Sequence, residues 1–171
     1  MNETDRLFLL DELRKGRSAL LDAVAGVTDA QAAFRPAADR WSILDCVEHV
    51  VVAEGFLLGR IEQATPTEIE AAPSELEGVI LANGANRSRR FEAPSNARPN
   101  ERFASLGDAV AAFDSARERT LRYVESYDGD LRAYTTPHPV RGNVTGYECL
   151  LLLVMHPIRH AAQIEEIKAA I

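Results

Sequence analysis

An apolar segment from Tyr147 to Ile171 carries two histidines, His156 and His160, four residues apart. On a helix that spacing stacks both imidazoles on one face. An advance of about 100° per residue sets them on a stripe with Cys149, Leu152, Leu153, Gln163, Ile164, Ile167 and Ile171, the side turned to a core. A buried imidazole needs a partner, because an unpaired polar group in an apolar interior costs on the order of 1–3 kcal/mol. Two imidazoles one turn apart are also how a single helix offers two ligands to one metal ion, although the same pair occurs in plain core or surface roles. A second apolar face, Leu151, Val154, Met155, Ile158 and Ala162, lies roughly opposite. Such a helix must be covered on both sides, by the chain's own crossover or by a second subunit, and a homodimer is the expectation.

Three more long helices are predicted. Leu7, Leu10, Leu13, Leu20, Leu21 and Val24 recur at helical spacing between about Thr4 and Ala25, with Gly26 as a stop. Thr28 and Gln31 form a capping box for one short turn. Ser42, with Asp45 three residues on, opens a second long helix from Ile43 to about Gln63, whose polar strip is narrow: Asp45, Glu48 and Glu62. His49 sits at the edge of its apolar face, near Cys46, Ala53 and Phe56, where it can point inward. Ser105 and Asp108 open a third, with Leu106, Val110, Phe113, Leu121, Val124 and Tyr127 facing in and Asp128-Gly129 closing it. Thr145 and Glu148 cap the fourth.

Between Ala64 and Ala104 the periodicity fails at Pro66, Pro73, Asn83-Gly84, Pro94 and Pro99, although Ser74 and Glu77 predict a short helix through Leu81. A connection this long is often functional. Its arginines, Arg87, Arg89, Arg90, Arg98 and Arg102, read as a solvated loop first and as a clamp for an anion second. Residues Thr135 to Asn143 predict a turn-rich connection. With no convincing strand, the fold class is all-α: a single-domain four-helix bundle over residues 1–171, with a long crossover between the second and third long helices. Short connections predict that the first two and the last two long helices pair as hairpins, and the crossover lets the middle two run parallel.

Composition narrows the function. A length of 171 residues suits one domain, and 46% hydrophobic with 26% charged residues is an ordinary globular balance. A formal net charge of −7 argues against nucleic acid and anionic membranes as partners. The run Leu150 to Met155 is too short to span a bilayer, and the polar N-terminal residues lack the basic-then-apolar pattern of a secretory leader. Cys46 and Cys149 lie among apolar neighbours in helices, so free thiols and a cytoplasmic location are expected.

Trp41-Ser42 followed by His49, then His138-Pro139, then His156-x-x-Arg159-His160-x-x-Gln163-Ile164, resembles the DinB-like (YfiT-like) superfamily, whose members are assigned as metalloenzymes. The resemblance covers nearly the whole chain. It implies a four-helix bundle with the middle helices parallel and a divalent metal held by His49, His156 and His160. Three neutral imidazoles suit Zn²⁺ or Ni²⁺ and leave a coordination position open, as catalytic sites do. The resemblance also implies a low-molecular-weight thiol as an alternative to water in that position. The expected function is metal-dependent chemistry on a small molecule, by thiol-dependent transfer or by hydrolysis, against a non-catalytic binding or stress-response module. Asp45 and Gln163, each one turn from a histidine, are candidates to hold the ligands' second N–H, although Asp45 reads first as a charge serving the helix start. Cys46 and Cys149 read as core residues, His138 as a turn residue and Trp41 as a packing staple. No catalytic or cofactor-binding residue is singled out. Pro157 removes one helical hydrogen bond, frees the carbonyl of Leu153 and predicts a kink between the two histidines.

Overall fold

Six side-chain caps decide where the helices begin. Asn2, Thr28, Ser42, Ser74, Ser105 and Thr145 each accept a hydrogen bond from the backbone N–H three residues on. In the computed structural model, which describes residues 1–67, 72–88, 91–139 and 141–171, they open α1 (Glu3–Val24), α2 (Asp29–Ala33), α3 (Ile43–Glu62), α4 (Glu75–Asn83), α5 (Leu106–Ser126) and α6 (Gly146–Lys168). Capping boxes close reciprocally at Thr28, Ser42 and Thr145.

The four long helices, α1, α3, α5 and α6, form the bundle, but not as two hairpins. α1 packs against α6 and α5, and α3 packs against α6 and α5, so helices consecutive among the four, α1 and α3 or α5 and α6, lie diagonally opposed. Two hydrophobic clusters give the directions. Leu9 and Leu13 share one with Leu57, Leu121 and Leu150; Leu20 and Val24 share the other with Ile43, Leu106 and Ile164. Hence α3 and α5 run parallel, as the crossover allows, and α1 and α6 run parallel to each other and antiparallel to that pair. Loop length constrains direction, not adjacency; which faces mate is a matter of packing.

Between the clusters lies a polar waist. Arg117 of α5, fully buried, donates to Glu54 of α3 at 2.7 Å and to the carbonyl of Leu13 of α1 at 3.2 Å, and the Thr120 hydroxyl donates to Glu54 at 2.8 Å. Gly16 of α1 meets α6 at this level: a Cβ there would stand 3.1 Å from the Val154 carbonyl oxygen and 3.6 Å from Pro157 Cγ. Pro157 therefore faces α1, and α6 runs on as one helix from Gly146 to Lys168. On α1 the inner face includes Leu9, whereas Leu7 is 58% exposed.

The segment expected as a turn-rich connection contains a hairpin. β2 (Tyr134–His138) pairs antiparallel with β3 (Gly142–Thr145), with β1 (Thr65–Pro66) on its other edge, giving the order β1-β2-β3. Among its described residues only Thr136 and Val144, cross-strand partners, are buried. Strands this short, interrupted by Pro137, show no period. In the crossover, α4 packs on α6, with Gly84 so close to Met155 that an added Cβ would sit 2.7 Å from Met155 Cβ. Leu151 and Val154 are fully buried within the chain. The second apolar face of α6 is thus covered largely by the chain itself, which removes the argument for a second subunit.

Candidate metal centre

α3 and α6 bring His49, His156 and His160 together. Nε2 of His49 and Nε2 of His160 each stand 3.1 Å from Nε2 of His156, and one ring nitrogen from each of the three lies within 4.8 Å of the other two. Among the described residues this is the single His/Cys/Asp/Glu group of that size able to hold an ion. Ring centroids are 4.5–4.8 Å apart with edge-on orientations. Trp41, just before α3, packs against the cluster at 4.8 Å from the His49 ring and 6.1 Å from the His160 ring.

The tautomer of His49 follows from its neighbour. Its Nδ1 lies 2.6 Å from the carbonyl oxygen of Ala97, in a 3-10 turn (Ser95–Ala97) of the crossover. A carbonyl can only accept, so Nδ1 carries the hydrogen and Nε2 presents a lone pair to the cluster. Burial lowers the pKa of His49, the Ala97 contact opposing it. Burial also lowers those of His156 and His160 well below the ordinary value, with the neighbouring histidine the next cause in each case. All three are neutral imidazoles, the form that binds metal.

These donors fit a cation. With the His49 lone pair fixed inward, one hydrogen on the His156 nitrogen could satisfy one of its two 3.1 Å contacts and leave the other unmade. A metal ion satisfies all three lone pairs at once, and nitrogens bound to one ion at about 2.0–2.1 Å stand about 3 Å apart. The buried Nδ1 of His160 has no partner among the described residues.

The family model of the DinB superfamily matches residues 12–164. The chain belongs to the DinB superfamily. It is 27% identical over 150 residues to YuaE of Bacillus subtilis (strain 168), a protein named as uncharacterized, with 85% of this chain and 88% of that protein covered. Two solved structures share the DinB fold. TT2238, a four-helix bundle protein, superposes with a TM-score of 0.62 at 20% identity, over 94% of this chain and 98% of its own. YfiT from Bacillus subtilis, described as a probable metal-dependent hydrolase with an unusual four-helix bundle topology, gives 0.63 at 16% identity, over 99% and 89%.

The other residues singled out from this DinB sequence fall elsewhere. Asp45 closes the α3 capping box on Ser42 N–H at 2.8 Å and pairs with Arg35, so it serves the helix start and not His49. Gln163 accepts from Arg87 at 3.0 Å instead of holding His160. Cys46 and Cys149 are free, buried thiols, which burial pushes up, Cys149 to about 12. His138 ends β2 and accepts from the Arg141 N–H; it is not one of the three clustered histidines, though its charge would act on His156.

The arginines of the crossover fasten it. Arg87 makes a two-pronged pair with Glu166 at 2.7 and 2.8 Å, Arg98 pairs with Glu92 and Arg102 with Glu48. Arg89 and Arg90 lie outside the described residues. Arg159 donates to the carbonyl of Asn86 and lies over the Phe91 ring at 5.4 Å, so the crossover is held down on α6 beside the histidines. Sequence reasoning missed Ala97 as the partner of His49, because a backbone carbonyl leaves no mark in residue types, and assigned Trp41 only a packing role. It also set Glu48 on the narrow polar strip of its helix and gave it no role, whereas Glu48 is 1% exposed; the signal available was its position directly beside His49.

Proposed function

We propose that His49, His156 and His160 hold one divalent cation, Zn²⁺ or Ni²⁺, and that this DinB protein is an enzyme that activates a nucleophile for attack on a small molecule. The observation that carries this is the convergence of three Nε2 atoms, those of His49 and His160 each 3.1 Å from that of His156, with the His49 lone pair aimed inward by Ala97. Bound there, such an ion supplies a Lewis acid and draws the pKa of a coordinated water or thiol down toward about 7 or below. The protein's own part is to keep the three imidazoles neutral by burial, to fix the His49 tautomer, and to wall the cluster with Trp41 and the fastened crossover.

No carboxylate among the described residues joins the three histidines in a common ligand group. A small thiol is favoured over water as the nucleophile, since its free pKa of about 8.5 leaves far less for the metal to lower. Hydrolysis is the rival chemistry, and it is the one proposed for YfiT. A thiol transferase turns over only with added thiol; a hydrolase needs none. The burial of His49 and His160, each 6% exposed, supports a second reading, a metal-stabilised module without turnover.

Elemental mass spectrometry of untagged protein beside the His156→Ala, His160→Ala double variant tests the first step. About one Zn or Ni per chain, lost in the variant, is the expected result. Absence of metal from both, after incubation with Zn²⁺ and Ni²⁺, refutes the proposal. If metal is present, its removal separates the readings: an enzyme loses turnover, whereas the module loses only melting temperature.

A further inference from the structure

The carboxylate next to His49 holds the loop that orients it. Glu48 and His49 are consecutive on α3, about 100° apart around the helix, and both reach the same short stretch of the crossover. Glu48 is 1% exposed, and all its described partners come from that stretch. Oε1 accepts from the Asn100 N–H at 2.6 Å and from Arg102 Nη1 at 2.5 Å, and Oε2 accepts from the Arg102 N–H at 3.1 Å. Nη1 of Arg102 also donates to the carbonyl of Arg98 at 3.0 Å, closing the loop back to the residue after Ala97.

One backbone feature makes this arrangement directional. Glu101, exposed to solvent, has φ of +53°, the only positive φ outside glycine among the described residues. That left-handed step turns the N–H groups on either side of it toward one point, the kind of concavity that accepts an anion. Here the anion is Glu48. Residues other than glycine seldom adopt this conformation without compensation, and the buried carboxylate with its three hydrogen bonds supplies it. The turn in turn presents the Ala97 carbonyl to His49 Nδ1 at 2.6 Å.

We propose that Glu48 is a positioning residue for the metal centre: by binding the 98–102 turn it holds the Ala97 carbonyl in place, which keeps His49 in the tautomer whose Nε2 lone pair faces His156. This rests on the three histidines being the metal ligands. Glu48 touches no ligand atom itself; it acts through the turn. Groups bonded directly to a metal ligand, as the Ala97 carbonyl is to His49, typically change affinity by roughly 10- to 100-fold when they are lost; Glu48, one step further out, is expected at the low end of that range.

The test uses the full chain and two readouts. Zn²⁺ affinity is measured by chelator competition, and the protonated ring nitrogen of His49 is assigned by ¹⁵N NMR in metal-free protein. Glu48→Gln keeps the shape but puts an amide N–H₂ where an acceptor is needed; it is expected to weaken Zn²⁺ binding roughly 10-fold, the low end of the range for a direct partner, and to populate the Nε2–H tautomer of His49. Glu3→Gln, removing an exposed carboxylate of α1 outside the crossover, is expected to change neither. Adding Glu101→Gly to Glu48→Gln relaxes the left-handed step and is expected to restore part of the affinity, which a general loss of packing would not allow. If Glu48→Gln does not fold, Arg102→Gln, whose side chain is one-third exposed, is read in the same way, with a smaller loss. Unchanged Zn²⁺ affinity together with an unchanged Nδ1–H tautomer overturns the proposal. Wild-type protein that takes up no Zn²⁺ refutes the metal reading instead, and the His49 tautomer alone then decides whether Glu48 positions it.

Discussion

Glu54→Ala should cost this bundle a large part of its stability, and the structure says how much and why. Glu54 is 2% exposed and Arg117 0%, with a 2.7 Å contact between them. Burial pushes the Glu54 carboxyl up and the Arg117 guanidinium down in pKa, so for each partner desolvation outweighs the attraction between them. Removing the carboxylate alone leaves a guanidinium in the core with the Leu13 carbonyl at 3.2 Å and the Phe113 ring at 5.4 Å as its remaining compensation. Breaking a buried pair in this way costs about 3–5 kcal/mol. Against a total of about 5–15 kcal/mol for a domain, the variant is near the edge of folding. At roughly 2–4 °C per kcal/mol for this size, the melting temperature falls by roughly 6–20 °C. Replacing both partners by apolar groups, Glu54→Leu with Arg117→Met, removes the unpaired charge and is expected to be neutral or stabilising. Thr120 keeps the Ala116 carbonyl as its acceptor in that variant. Urea titration of metal-free protein followed by circular dichroism measures all three. A loss under about 1 kcal/mol in the single variant, or a double variant as unstable as the single, refutes the account.

Acid should destabilise the metal-free protein before most carboxylates titrate. Burial lowers the folded-state pKa of His49, His156 and His160, and that of His138 to about 4. Below about pH 6.5 the unfolded chain therefore binds protons that the native state refuses, and stability falls with pH by up to about 1.4 kcal/mol per unit for each group. Urea midpoints between pH 7 and pH 5 measure the slope; His156→Gln should make it shallower, and a flat profile contradicts the burial argument. Gly84→Ala sets a Cβ 2.7 Å from both Met155 Cβ and the Ile80 carbonyl oxygen, neither a flexible chain end. Thermal melts should show it destabilised by about 1–3 kcal/mol, whereas Gly55→Ala, with open space at its Cβ, should match or exceed wild type.

The helices were legible because their signals are local. Caps at Ser42, Ser105 and Thr145 combined with a 3.6-residue period, and the structure begins α3, α5 and α6 one residue beyond each. The histidine pair on α6 was legible for the same reason, since i and i+4 share a face whatever the helix packs against. The β-hairpin was not, because its strands are short and Pro137 lies within one of them. Arg117 was not placed in the core either: a charged residue is assigned to solvent unless its partner is known, and Glu54 is 63 residues away in sequence.

What this sequence determines alone is what one helix or one turn can specify: the caps, the periods, which residues share a stripe, and so the two imidazoles that one helix offers together. Tertiary structure decided what depends on groups distant in the chain. It set α1 diagonal to α3, gave His49 its partner in the Ala97 carbonyl, and turned Glu48 from a surface charge into the anchor of the 98–102 turn. The physical reason is that side-chain identity carries propensity and polarity along the chain, whereas a backbone carbonyl or a buried charge acquires its role only from what folding brings within about 3 Å of it.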